Sequence, residues 1–161
     1  MATLKVRDIM TKRVMTVSPD TTVKDAAALL AENDISGVPV LDGAKLIGIF
    51  SESDILRSIN MTKKNIHMVY PSVSPLGVAF QEEVSQREIL EAYGEAGRIP
   101  VRDVMTKDVY TVDPEMSIND AIYRMMDHRI NRLPVLDKGV LVGIVTRGDI
   151  IKGLAKQRST T

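Results

Sequence analysis

The chain has 161 residues, 44% hydrophobic and 26% charged, with a mean hydropathy of −0.01, a globular composition long enough to bury a sizeable core. Lysine and arginine balance aspartate and glutamate at 21 each, so bulk charge gives no basis for binding nucleic acid or an anionic membrane. The absence of cysteine excludes a disulfide framework, a thiolate nucleophile and a cysteine-based zinc site; with no apolar signal core in MATLKVRDIM and no apolar run near the roughly 18 residues of a membrane span, a cytoplasmic protein is expected.

The chain opens on a short helical turn with Val6, Ile9 and Met10 on one side. Residues 14–17 (VMTV) read as a strand, and Ser18, Pro19 and Asp20 as a turn, proline fixing φ and aspartate bonding nearby backbone. Thr22 followed by Asp25 is an N-terminal capping pattern. Val23, Ala26, Ala27 and Leu30 then recur at i, i+3, i+4 and i+7, which predicts a helix with one apolar face. Asn33 and Asp34 end it. Residues 37–41, apolar around Pro39, suit a buried strand whose first residues need not donate to a ladder. Asp42, Gly43 and Ala44 make a hairpin turn, residues 46–50 return as a strand, and Ser51 caps a helix running to about Ile59.

The same moves then repeat. Val6 falls on Val101, Pro39 on Pro134, Gly48 on Gly143 and Asp54 on Asp149, always 95 positions on and without a gap; roughly two in five of residues 6–59 recur identically in 101–154. Residues 109–112 are the second copy's first strand, Ser117 with Asp120 its cap, and Ile118, Ala121, Ile122 and Met125 its stripe. The fold class is therefore α/β (α+β), two β-α-β-β-α units. One copy of about 55 residues would bury only about 60% of its surface, so the two are expected to pack into one domain. The division is 6–60 for the first repeat, 61–99 for a connector, 100–156 for the second repeat and 157–161 for a polar tail, with fraying expected from Lys156. In the connector, residues 70–77 contain Pro71, Pro75 and Gly77 and read as an extended loop. Residues 82–95 read as a lead-in helix for the second repeat, with Val84, Ile89, Leu90 and Tyr93 on its buried side and Gly94 and Gly97 at its end.

The best candidate for ligand contact lies where the last strand of each copy meets its last helix. After Gly48, at Ser51, backbone N–H groups and the positive end of a helix dipole point outward, as a phosphate requires. Asp54, one turn in, can accept hydrogen bonds from both vicinal hydroxyls of a ribose. Thr146 and Asp149 repeat the arrangement after Gly143. The same spacing is also a capping motif, and Thr22 with Asp25 and Ser117 with Asp120 are assigned to capping alone. Magnitude separates the roles: a lost cap costs about 1 kcal/mol. Two lost charge-assisted ribose bonds cost about 2 to 4 kcal/mol, roughly 30-fold to 1000-fold in affinity.

Four paired segments, VRDIM and VRDVM, MTVSPD and YTVDPE, GVPVLD and RLPVLD, GIFSESDI and GIVTRGDI, together resemble the paired cystathionine-β-synthase (CBS) domain over about two thirds of the chain. The resemblance implies two units joined sheet to sheet with pseudo-twofold symmetry. It implies two clefts of the kind that hold AMP, ADP, ATP or S-adenosylmethionine, and a flat homodimer of such modules. By the same resemblance Ser51 and Thr146 contact phosphate, and Asp54 and Asp149 hold ribose. Ser36, Gly37 and Val38, with Asn131, Arg132 and Leu133, lie along adenine and phosphate, and Thr16 and Thr111 complete the set.

Charge distinguishes the copies. Residues 32–57 contain five acids against two bases (Lys45 and Arg57), whereas 127–152 contain three acids against five bases, Arg132 replacing Gly37 and Arg147 replacing Glu52. An anionic phosphate chain is expected to prefer the second copy, the first binding weakly or taking a less anionic adenosyl ligand. His67 and His128 are too far apart in sequence to suggest a metal site. No nucleophile-elbow pattern supports a Ser-His-Asp triad, and Tyr70 and Tyr93 do not form a stacking platform. The expected protein is a ligand-binding regulatory module, without catalytic residues, metal or required cofactor, acting on a protein target in another chain. The alternatives are an interaction or dimerisation platform with degenerate clefts, and a small nucleotide-processing enzyme.

Overall fold

The computed structural model describes residues 3–62, 68–74, 77–83 and 86–158, with the backbone alone for 61–83 and 158. The chain divides into two compact units, and neither is a sequence repeat: one comprises Met1–Ser18, Val38–Ile49 and Thr106–Thr161, the other Pro19–Gly37 and Phe50–Met105.

In the first unit, α1 (Val6–Ile9) opens the chain, followed by β1 (Gly37–Asp42) and most of β2 (Lys45–Ser51), then α5 (Ile118–Asp127), β5 (Arg132–Asp137), β6 (Val140–Thr146) and α6 (Arg147–Arg158). Each β pair is a two-stranded sheet. Glycine at positive φ makes the tight turns: Gly43 at +60° in the first, Lys138 at +50° with Gly139 at +81° in the second, as a two-residue turn matched to strand twist requires. The first strand predicted for each copy contracts to one parallel bridge, Val17 with Val40 and Val112 with Val135. Leu41 N–H donates to the Val17 carbonyl at 3.0 Å, and Leu136 N–H to that of Val112 at 2.9 Å. The core is built from Val112, Ile118, Ala121, Met125, Leu133, Val135, Val145 and Ile150, and it takes in Val6, from the other sequence repeat. Val6 N–H donates to the Met116 carbonyl (2.9 Å), Arg7 N–H to that of Pro114 (3.0 Å), and Thr11 pairs with Ile144 in both directions (2.9 and 3.0 Å). Gly143 permits this approach, because a Cβ there would lie 2.6 Å from Met10 Sδ and 3.1 Å from the Thr11 carbonyl.

The other unit contains α2 (Val23–Glu32), α3 (Glu52–Thr62), the antiparallel hairpin of β3 (Met68–Ser74) and β4 (Gly77–Glu83), and α4 (Gln86–Ala96). The exchange is reciprocated. Val101, opening the second repeat in a 3-10 turn, donates to the Thr21 carbonyl (2.8 Å), Arg102 to that of Pro19 (3.1 Å), and Val23 donates to that of Ile99 (2.8 Å).

Several expectations change here. Residues 70–77, expected as a loop, fall largely within the β3–β4 hairpin, where Pro71 opposes Phe80; a two-stranded sheet has only edges, and edges tolerate proline. The helix expected as a lead-in for the second repeat packs on α2 and α3 of the first. It buries Ala92 and Ala96, while Ile89 and Leu90 are exposed; Val84 lies outside the described residues. Small side chains allow close approach: a Cβ on Gly97 would lie 3.1 Å from that of Lys24. The last helix extends through Arg158, two residues beyond Lys156.

Candidate functional sites

The second-repeat site lies within the first unit. β6 ends at Thr146 and α6 begins at Arg147, and the junction is held by a reciprocal cap. Asp149 Oδ2 accepts from Thr146 N–H and from the Thr146 hydroxyl, both at 2.9 Å, and Asp149 N–H donates to Thr146 Oγ1 at 3.2 Å. Arg147 N–H donates to the Asn131 carbonyl at 3.2 Å, which brings the residue before β5 to the start of α6. Arg132 sits opposite Thr146 in the strand register. This corrects the expectation of an open row of N–H donors: the Thr146 and Asp149 N–H groups are taken up by the cap and that of Arg147 by the Asn131 carbonyl. The cap also uses one carboxylate oxygen only. Asp149 Oδ1 has no partner among the described residues, and because no buried side-chain polar atom lacks one, it faces solvent.

The Thr111 carbonyl accepts from Arg124 Nη1 of α5 at 2.6 Å. Leu133 and Val38, named among the contacts implied by resemblance, are buried core residues at 0% and 1% exposure. Exposure this low covers their backbone together with their side chains.

The first-repeat site lies in the other unit. Glu52 N–H donates to the Ser36 carbonyl at 3.1 Å, matching the Arg147–Asn131 bond. Asp54 Oδ2 accepts from Ser51 N–H (2.8 Å) and from the Ser51 hydroxyl (3.1 Å). The outer oxygen differs: Asp54 Oδ1 accepts from Arg57 Nη2 in an ion pair, and Asp54 is fully buried. Gly37 belongs to the same unit, whereas Thr16 and Val38 belong to the first.

Arg57 and Arg124 are not among the site residues named from sequence. Arg57 was visible as a base one turn beyond Asp54. Arg124 bonds a backbone carbonyl 13 residues away, for which no local pattern exists. His128, weighed as a metal ligand, stacks on Tyr110 with ring centroids 3.7 Å apart, and His67 lies outside the described residues. The helix N-caps hold as expected, with Asp25 and Asp120 N–H each donating to the Thr22 and Ser117 hydroxyl oxygens at 3.1 Å.

Comparison with known proteins matches residues 6–61 and 101–156 to the CBS domain. An uncharacterized protein of Methanocaldococcus jannaschii is 40% identical over 152 residues, covering 92% of this chain and 90% of its own. A CBS domain-containing protein of Bacillus subtilis is 32% identical over 145 residues, covering 90% and 81%. Among solved structures, that of CBSX2 in complex with AMP superposes with a TM-score of 0.69 at 27% identity, covering 96% of this chain and 98% of that one; CBSX2 is a chloroplastic protein of Arabidopsis thaliana.

Proposed function

This chain belongs to the CBS-domain family, and we propose that it is a regulatory module that binds an adenosine nucleotide, with the second-repeat site the stronger of its two. The observation that carries the reading is the division of labour within one carboxylate. Asp149 Oδ2 caps α6 and Oδ1 faces solvent, so the cap does not compete with a ribose hydroxyl. The exposed Arg147 side chain supplies a cation for phosphate at the same helix start. The AMP complex of CBSX2 supports adenosine as the nucleoside. ADP, ATP and S-adenosylmethionine share that nucleoside, and the charge of the second repeat favours the phosphorylated ligands.

Regulation follows from differential binding. A ligand shifts a conformational equilibrium only by the difference in its affinity for the two states, and the shifted state presents a changed surface to a protein target. No catalytic step is assigned. We also propose a homodimer, supported by an apolar surface on the second repeat: Tyr123 and Met126 of α5 and Ile151 and Leu154 of α6 are exposed. An apolar hollow of about 240 Å³ lies between these helices, lined by Ile122, Met125, Met126, Ile150 and Ile151 with Arg147. The same surface favours a second reading, an interaction platform in which the carboxylates serve as caps only.

Thermal unfolding with AMP, ADP, ATP, S-adenosylmethionine, NAD and GTP separates the two. A ligand at a hundred times its Kd adds about 2.7 kcal/mol to stability. The nucleotide reading expects a clear rise in Tm with an adenosine ligand that Asp149→Ala removes; no rise with any of them makes the platform reading the better one.

A further inference from the structure

The two repeats place the same carboxylate in opposite states, and the difference traces to one side chain. Arg57 and Lys152 are equivalent, 95 positions apart and each three residues beyond its aspartate. The Arg57 guanidinium reaches back over one helical turn and occupies Asp54 Oδ1. Lys152 forms no ion pair with Asp149 among the described residues, and Oδ1 there faces solvent. We propose that Arg57 is an internal lock on the first-repeat site, occupying the carboxylate oxygen a nucleoside diol would use, so that the chain binds nucleotide at the second repeat alone. This rests on the nucleotide reading above.

Three observations carry the lock. The guanidinium–carboxylate bond joins two ionised groups, whereas a ribose hydroxyl would draw charge assistance from the carboxylate alone, so the diol must displace a bond in which both partners are charged. Asp54 has no exposed surface, while the Arg57 side chain is 62% exposed; solvent reaches the pair from the arginine side, and the diol's approach meets the guanidinium first. Finally, residues 32–57 contain only two bases, Lys45 and Arg57. While Arg57 neutralises Asp54, it is not available to phosphate, and Glu52 occupies the position that Arg147 fills in the second repeat. One residue thus withdraws both the diol acceptor and a cation. Lysine at this position has a flexible point charge in place of a planar fork, which leaves Asp149 open.

The test is the stoichiometry of AMP binding by isothermal titration to the full chain, its Arg57→Ala and Arg57→Lys variants, and the reciprocal Lys152→Arg. The expected result is about one equivalent for the wild type, about two for both Arg57 variants, and an affinity at least tenfold weaker for Lys152→Arg. Circular dichroism melts of each variant verify folding. Two equivalents in the wild type, or one in both folded Arg57 variants, overturns the lock while leaving nucleotide binding intact. If the wild type binds no AMP, the nucleotide reading of the second site fails, and the Arg57 variants still decide the lock: a gained equivalent upholds it, and none overturns it.

Discussion

Asp54 and Asp149 share a sequence motif, a helix position and a capping bond, yet one is buried under an arginine and the other keeps an oxygen in water. Equivalence in the backbone therefore does not make two sites equivalent in chemistry. The helix start is conserved between the copies because both need the cap; what a ligand would meet is decided by side chains one turn further on and by the charge beside them, Glu52 against Arg147.

The sharpest way to break this comparison is to remove each carboxylate and read two quantities. Asp149→Ala is expected to weaken AMP binding by roughly 30-fold to 1000-fold, about 2 to 4 kcal/mol, while costing the unliganded protein only about 1 kcal/mol as a lost cap. Asp54→Ala should show the larger loss of unliganded stability, about 2 to 3 kcal/mol, since it removes the cap together with hydrogen bonds to a buried charge. The exposed Arg57 left behind adds little, being screened by water. Denaturant melts and AMP titration of both variants check the crossing; a larger stability loss for Asp149→Ala would contradict it.

Gly143→Ala disturbs the strand that leads to Thr146. With Met10 Sδ at 2.6 Å and a backbone carbonyl at 3.1 Å from the new Cβ, overpacking should cost about 1 to 3 kcal/mol in a denaturant melt. Arg147→Glu, which gives the second repeat the first repeat's residue, is expected to reduce AMP affinity about tenfold, with the gap narrowing as salt rises. At the small end, Thr22→Ala and Ser117→Ala should each cost about 1 kcal/mol and match one another, because the two caps have the same 3.1 Å bond. Unequal costs there would show that the scaffolds differ before any ligand binds.

The parts of the structure legible in the sequence were those written in short-range spacing. The caps at Thr22 and Ser117, the stripes ending at Leu30 and Met125 and the turn at Gly43 depend on residues within one or two helical turns. The exchange of opening segments was not legible, because Val6 bonds Met116 across 110 residues and nothing near Val6 marks that partner. The connector helix was misread at its buried face for a different reason: hydrophobicity favours Ile89 and Leu90, but close helix packing selects Ala92 and Ala96. In the candidate sites, the Ser/Thr-x-x-Asp pairs were visible, and so was the excess of positive charge in the second repeat. Which carboxylate oxygen the cap would use, and that Arg57 would take the other in one copy only, depends on rotamers that sequence does not specify.

Whether Asp149 receives a ribose diol is read by comparing AMP with 2′,3′-dideoxy-AMP in isothermal titration against the wild type and Asp149→Ala. The expected result is a wild-type preference for AMP of roughly 30-fold to 1000-fold, collapsing toward equality in the variant. Equal affinities for the two nucleotides in the wild type would contradict it.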